Sequence, residues 1–314
     1  MTLTELRYIV ALARERHFGR AAEKSFVSQP TLSVAVKKLE DELGVALFER
    51  GGSEVTPTPV GMRVVEQAQR VLEEATTIKQ IAEQGKDDLA APLRFGAIYT
   101  IGPYLMPQLI PLLHKRAPRM SLVIRESYTV RLAELLKTGE LDVIVLSLPF
   151  AEPGIVTQAV YDEPFRVLMP AAHPWAKKAR IPGIDLCREN LLLLSTGNCF
   201  REQVLQTCSG VERATNDGMR QSLEGSSLET IRHMVASGIG ITVLPSAAAE
   251  GRITDNRLTA VRPFAPPVPS RRVALAWRRS FPRVRAVEAV RQAILSCKLA
   301  GVTMLAHTEP TSAA

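Results

Sequence analysis

The sequence predicts a small all-α domain, a long linker helix and a two-lobed α/β domain, and three observations carry that prediction. Apolar residues recur at helical spacing over residues 3–43 and then give way to two short extended segments around a glycine turn. A single helical stretch follows from about 59 to 84, its apolar positions spaced alternately by four and three. Beyond residues 85–92, which read as a hinge, short apolar strands alternate with amphipathic helices, the pattern of a parallel α/β fold.

Composition narrows the class. With 314 residues the chain is long enough for two or three domains, and 46% hydrophobic residues at a mean hydropathy of +0.04 supply ordinary cores. No run approaches the ~18 apolar residues of a membrane span. The apolar run at residues 8–13 is too short for a signal-peptide core, so the expectation is a cytoplasmic protein with no membrane partner. In that reducing compartment Cys187, Cys199, Cys208 and Cys297 are expected to form transient bridges at most. The net charge of +7 suggests nucleic acid, but its distribution does not. Residues 1–60 carry eight basic and eight acidic side chains, whereas residues 252–298 hold eleven basic ones against Asp255 and Glu288. Nucleic-acid binding therefore has to be argued from placement.

Leu3, Leu6, Ile9, Val10 and Ala13 predict a first helix over about 3–16, and residues 18–24 a turn and short second helix packed through Ala21 and Ala22. Ser28 reads as an N-cap, with Pro30 in the first turn of a helix over 29–43 that ends at Gly44. That helix should bury Leu32, Val36, Leu39 and Leu43 and present Gln29, Thr31, Ser33, Val34 and Lys37. The pattern is a helix-turn-helix whose second helix meets base edges of double-stranded DNA through Gln29, Pro30, Thr31, Ser33 and Lys37. Glu40, Asp41 and Glu42 fall at its far end. Residues 45–58 read as a wing around Gly51-Gly52, from which Arg50, Thr56 and Thr58 reach the phosphate backbone.

These segments together resemble one family. Ala21-Ala22, Ser28-Gln29-Pro30-Thr31-Leu32-Ser33, Leu39-Glu40, Leu43-Gly44, Leu47-Phe48, Arg50, Thr56-Pro57-Thr58 and Gly61 are similar, in order, to the N-terminal signature of the LysR-type transcriptional regulators. The expected layout is a winged helix-turn-helix domain at 1–58, a dimerisation linker helix and hinge at 59–91, a regulatory domain at 92–298 and a tail at 299–314. Val64, Ala68, Val71, Ala75, Ile78 and Ala82 form the seam of a coiled coil, which predicts a dimer reaching two half-sites. A further contact between regulatory domains would build a tetramer.

In the regulatory domain, strands are expected at 93–98, 121–126 and 141–148. Helices are expected at 104–115, despite prolines at 103, 107 and 111, and at 130–138. A second unit includes strands at 165–169, 191–194 and 240–244 with a helix at 227–236, and the chain returns to the first unit through a strand at 272–277 and a helix at 283–297. The result resembles the LysR regulatory domain, two lobes around a cleft like that of periplasmic binding proteins. Lobe I takes 92–162 and 264–298, lobe II takes 163–263, and the tail lies outside the fold.

In such folds ligands bind beyond the carboxyl ends of the strands. Those places hold Thr100, Thr129, Ser226-Ser227 and, on the other lobe, Cys199. Thr100 and Thr129 are either helix caps or, with Cys199, the lining of a small polar pocket. Cys199 lies in Asn198-Cys199-Phe200-Arg201-Glu202-Gln203, nine residues before Cys208. Either the two are buried structural cysteines or they form a reversible peroxide sensor, in which Arg201 and a helix N-terminus favour the thiolate and a second thiol captures the oxidised sulfur. A helix spanning nine residues would hold the pair over ~13 Å apart, and a disulfide needs Cα atoms within about 7 Å. Bridging would require the segment to refold.

The segment, with Gly197 before it, is similar to the motif of the hydrogen-peroxide-sensing branch of the LysR-type regulators. That resemblance implies Cys199 as the peroxidatic and Cys208 as the resolving cysteine, Thr100 and Thr129 as peroxide contacts, and Arg272 near the reactive thiol. Asn198 stands where the branch carries histidine, which removes a charge-bearing group. Cys187 and Cys297 match nothing in the motif and are expected to be packing residues. The implied function is an activator working with RNA polymerase, a homotetramer with no metal or cofactor and no enzymatic role. The alternatives are a LysR-type regulator answering a small organic anion in the inter-lobe cleft, and a thiol peroxidase.

Overall fold

A computed structural model describes residues 1–51, 54–84, 88–207, 224–249 and 257–312. The chain divides into two compact units, one over residues 1–85 and one over most of the remainder.

In the first unit, α1 (Leu3–Glu15) starts at a capping box: the Glu5 N–H donates to Thr2 Oγ1, and the Thr2 N–H to Glu5 Oε2 at 2.7 Å. α2 (Phe18–Lys24) is capped by His17, whose Nδ1 accepts from the Gly19 and Arg20 N–H groups. α3 (Gln29–Leu43) has its cap at Ser28, Pro30 in its first turn and its stop at Gly44, where a φ of 67° suits glycine. Leu6, Ile9, Leu12, Leu32, Val36 and Leu39 form the core. Leu43, expected there, is exposed, because α3 outruns its neighbours and residues 41–46 all face out.

β1 (Phe48–Gly51) and β2 (Glu54–Pro57) pair antiparallel as the wing. Glu40 fixes its entry, with Oε1 accepting from the Leu47 and Phe48 N–H groups at 2.8 and 3.1 Å. α4 (Pro59–Gln84) follows, and its start sits hard against the chain before the wing. A Cβ on Gly61 would lie 1.9 Å from Leu47 O, a backbone atom with no room to yield. Gly61→Ala is therefore expected to destabilise this unit by roughly 1–3 kcal/mol, read by chemical denaturation. An unchanged midpoint would show that α4 can shift freely. The expected coiled-coil seam needs correction. Ala68 is buried and Val64 packs against the core of this same unit, whereas Val71 and Ile78 remain exposed. One end of the seam is thus consumed inside the unit, and only the far end is open to a partner.

The second unit is built on a mixed sheet. β3 (Leu93–Ile98) lies parallel to both β4 (Leu122–Ser127) and β5 (Val143–Ser147), with α5 (Gly102–Arg116) and α6 (Thr129–Lys137) as crossovers. α5 keeps Pro107 and Pro111 inside it because prolines 103, 107 and 111, four apart, all lie on its exposed face. The carbonyls they leave without a donor can be hydrated there, and Leu105, Leu109 and Leu113 hold the other face.

β6 (Ile155–Pro170) is the main element that the sequence did not predict in full. It starts ten residues before the expected strand and belongs to both lobes, so the expected lobe boundary at 162/163 falls inside a continuous strand. Lobe II adds β7 (Leu193–Leu194), α7 (Cys199–Gln206), β8 (Glu224–Gly225), α8 (Leu228–Ala236), β9 (Thr242–Pro245), α9 (Ser246–Ala249) and β10 (Thr259–Pro263). β9 and β10 flank the second half of β6. β11 (Ser270–Arg278) runs antiparallel to both β5 and the first half of β6, and α10 (Val284–Leu295) covers lobe I. The expected free tail is a second correction. Leu299 is buried, and β12 (Thr303–Met304) and β13 (Thr311–Ser312) both pair with β6. Thr308 Oγ1 donates to Ala159 O, so short polar residues here act as edge-strand partners.

Part of the basic excess near the C-terminus is structural. Arg278 and Arg283 are buried and donate to carbonyls, Arg278 to Leu141 and Arg283 to Asp88, Ala91 and Pro92. Bulk charge by itself therefore does not mark a DNA-facing surface in this chain.

Candidate thiol site and DNA-reading surface

Cys199 is the first residue of α7, a helix rooted in lobe II through buried Phe200 and Val204. Its own half-buried side chain packs instead against the core of lobe I. Further contacts fix α7 and the loop before it within lobe II and across to lobe I. Phe200 meets Phe165 edge-on with ring centroids 5.0 Å apart. Gln203 Nε2 donates to Ser147 Oγ at 2.8 Å, reaching the end of β5. Asn198, at the cap position, does not cap the helix; its Nδ2 donates to Ser195 O at 3.0 Å. Cys199, Gln203, Ser147, Arg271 and Arg272 share the lining of one cavity of about 920 Å³.

Arg201 departs from expectation. Two residues on along a helix is about 200° around it, and the guanidinium is held by Leu194 O and Glu224 Oε1, both at 2.8 Å. It fastens α7 to lobe II and is not available as the thiol's counter-charge. Arg272 does line the Cys199 cavity, but it is exposed and forks onto Asp162 at 2.7 and 2.8 Å. That carboxylate pushes its pKa up.

Arg271 is the residue that sequence reasoning missed. It is buried and paired with buried Glu163 at 2.8 Å, and its remaining N–H groups donate to Thr100 Oγ1 and Thr100 O at 2.8 and 2.9 Å. Glu163 Oε1 accepts from the Ala247 N–H as well, and Arg271 lies 5.5 Å over the Phe200 ring. The signal was legible in part: Asp162-Glu163 and Arg271-Arg272 are opposed doublets, in register on adjacent strands. Strand alternation sends one pair inward and the other out.

Thr100 and Thr129 are not helix caps. The Thr100 hydroxyl accepts from Arg271, and α5 has no side-chain cap. Thr129 Oγ1 is buried with no hydrogen-bond partner, and polar atoms so placed are uncommon. Neither threonine lines the 920 Å³ cavity. Still, a Cβ on Gly197 would lie 3.9 Å from the Tyr128 ring, which sets the loop before Cys199 beside the turn that carries Thr129. Cys297 is buried, its thiol pushed up to about 11 by desolvation. Cys187, expected to be a packing residue, is exposed, because it falls in a surface 3-10 turn at residues 183–188. Cys208 lies outside the described residues.

On the first unit, Gln29, Pro30, Thr31 and Lys37 are exposed and Ser33 is half-buried. The Arg50 side chain lies outside the described residues. Thr58 is corrected: its hydroxyl donates to Ala46 O and accepts from the Gly61 N–H, which leaves no proton for a phosphate oxygen. It caps α4 and braces the wing.

Two family models match: residues 3–62 the "Bacterial regulatory helix-turn-helix protein, lysR family" and residues 86–296 the "LysR substrate binding domain". The chain is 41% identical over 285 residues to the "Hydrogen peroxide-inducible genes activator" of Dickeya chrysanthemi, covering 90% of this chain and 91% of that one. It is 38% identical over 296 residues to the "DNA-binding transcriptional dual regulator OxyR" of Escherichia coli K12, covering 94% and 95%. Among solved structures, a full-length OxyR variant from Pseudomonas aeruginosa matches with a TM-score of 0.74 and 56% identity, over 96% of this chain and 98% of that one. The chain belongs to the LysR family, in its OxyR branch. A Corynebacterium glutamicum OxyR mutant described as H2O2-bound also matches, with a TM-score of 0.60, 32% identity and coverage of 94% and 93%. The helix-turn-helix of a LysR-family regulator binds DNA, and among the described residues no helix is long and apolar enough to cross a membrane.

Proposed function

We propose that this LysR-family chain is a transcriptional activator of the hydrogen peroxide response, switched by oxidation of Cys199 and closure of a Cys199–Cys208 disulfide. One observation carries the reading: Cys199 opens a helix rooted in one lobe while its sulfur packs against the core of the other. The thiolate attacks one peroxide oxygen; an S–O bond forms, the O–O bond breaks and hydroxide leaves as water. Cys208 then attacks the sulfenic sulfur; an S–S bond forms, the S–O bond breaks, and the departing hydroxide takes the Cys208 thiol proton to leave as a second water. Along α7 the rise from Cys199 to Gln206 is already about 10 Å, so closure unwinds the helix and breaks the Gln203–Ser147 tie. Thr129, with its uncommitted buried hydroxyl, and Thr100, whose oxygen accepts a hydrogen bond from Arg271 and so leaves its own O–H to donate, are the peroxide contacts. Asn198 orders the loop between them.

Gln29, Pro30, Thr31, Ser33 and Lys37 read the major groove and Arg50 holds the backbone. The exposed end of α4, with Val71 and Ile78, pairs two chains, and a contact between regulatory domains completes a tetramer that recruits RNA polymerase. The chain acts in the cytoplasm and is a stoichiometric sensor, not an enzyme. The cavity of about 920 Å³ beside Cys199 favours a second reading, an organic anion held by Arg272, since that volume suits a small molecule far larger than peroxide. A free-thiol count after one equivalent of peroxide separates the two. Loss of two thiols per chain, mapped to Cys199 and Cys208, is expected; four surviving thiols would leave the anion reading.

A further inference from the structure

Phe26 sits where local rules ask for glycine. After α2 the chain closes a Schellman turn, in which the Val27 N–H donates to Ala22 O at 3.0 Å and the Phe26 N–H to Glu23 O at 3.1 Å. That motif holds its middle residue in the left-handed region, and Phe26 has a φ of 56°. A bulky side chain is strained there. The fold gains nothing in return, because the ring is 95% exposed, and the apolar contact that accompanies such a turn is made by its neighbour Val27. Local strain without packing return points to a function outside the chain. Two residues on, Ser28 caps α3, whose first turn exposes Gln29, Pro30 and Thr31; Val34, one turn further, is 68% exposed.

We propose that Phe26 and Val34 form an apolar lip on the DNA-reading surface, packing on deoxyribose carbons and thymine methyl groups at the edge of the major groove. The proposal rests on the DNA-binding reading and deepens it. DNA is the occupant because Phe26 lies two residues before the cap of the second helix of a helix-turn-helix, whose first turn such modules present to base edges.

Phe26→Gly tests it, because strain relief and lost contact have opposite signs. The probe is the set of duplexes that the wild-type chain enriches from a randomised pool; if it enriches none, the DNA-binding reading fails before this one is reached. Phe26→Gly is expected to weaken binding by about fivefold or more with an unchanged salt slope, because no phosphate contact is lost. Its Tm should equal or exceed that of the wild type. Phe26→Leu keeps an apolar side chain on the same backbone and should bind within about twofold of wild type. Val34→Ala should also weaken binding, and replacing thymine by deoxyuridine in the protected site should abolish the difference between it and wild type. Phe26→Gly binding within about twofold of wild type would overturn the proposal and send the ring to a protein partner. A fall in Tm that parallels the loss of affinity would overturn it too, by assigning the ring to the fold.

Discussion

Cys199→Ser is expected to leave the chain folded and bound to DNA but blind to peroxide, with the same footprint before and after oxidant. The substitution keeps the shape of the side chain, and the site is half-buried, so the hydroxyl costs the fold little. What it removes has no substitute within the described residues. The Cys297 thiol, raised to about 11, presents only about one thiolate in ten thousand at neutral pH. Cys187 is exposed on a surface 3-10 turn and matches nothing in the peroxide motif, and Cys187→Ser is expected to respond almost normally. Cys208→Ser should still consume peroxide at Cys199 and stall as a sulfenic acid or over-oxidise. The readouts are mass spectrometry of trapped thiols and DNA footprinting with and without peroxide. A Cys199→Ser footprint that still moved with peroxide would defeat the sensor reading.

Glu163→Ala is expected to destabilise the second unit by about 3–5 kcal/mol. It leaves the Arg271 guanidinium buried without its carboxylate and takes the acceptor from the Ala247 N–H. Because Arg271 also positions Thr100, peroxide reactivity should fall even where the protein remains folded. The adjacent pair supplies the control. The Arg272–Asp162 pair lies at the surface, where Arg272 forks onto both carboxylate oxygens, so Asp162→Ala should cost less than about 1 kcal/mol. Denaturation of the two variants under one set of conditions decides the matter. Equal losses would mean that burial adds nothing to the Arg271–Glu163 pair. Replacing both of its members by apolar residues of similar volume should recover much of the stability and none of the Thr100 positioning.

These two expectations differ in how far the sequence reached them. Cys199 was legible because its chemistry is carried by a contiguous motif, with Cys208 at a fixed interval and the helix start marked by its neighbours. Arg271 was not, because its meaning depends on a partner 108 residues away and on which face of β11 it occupies. Arg201 misled for a related reason. Proximity along the chain suggested a counter-charge for the thiol, yet helical geometry turns it to the opposite side, where Glu224 holds it. Thr58 followed the same course, its hydroxyl taken by Ala46 O and the Gly61 N–H, twelve and three residues away.

The sequence by itself determined what local physics can encode: the cap at Ser28, the stop at Gly44, the wing, the long helix, the alternation of strands and helices, and the family motif around Cys199. Each is a signal of propensity or periodicity within about a dozen residues. Only the tertiary structure decided that β6 serves both lobes, that residues 299–312 add edge strands to it, and that half of the linker seam is used up inside its own unit. It also decided which arginine faces the core. Those outcomes turn on which distant surfaces meet, and a hydrogen bond or buried charge pair gains its strength from exclusion of water at that meeting, a property no single segment carries.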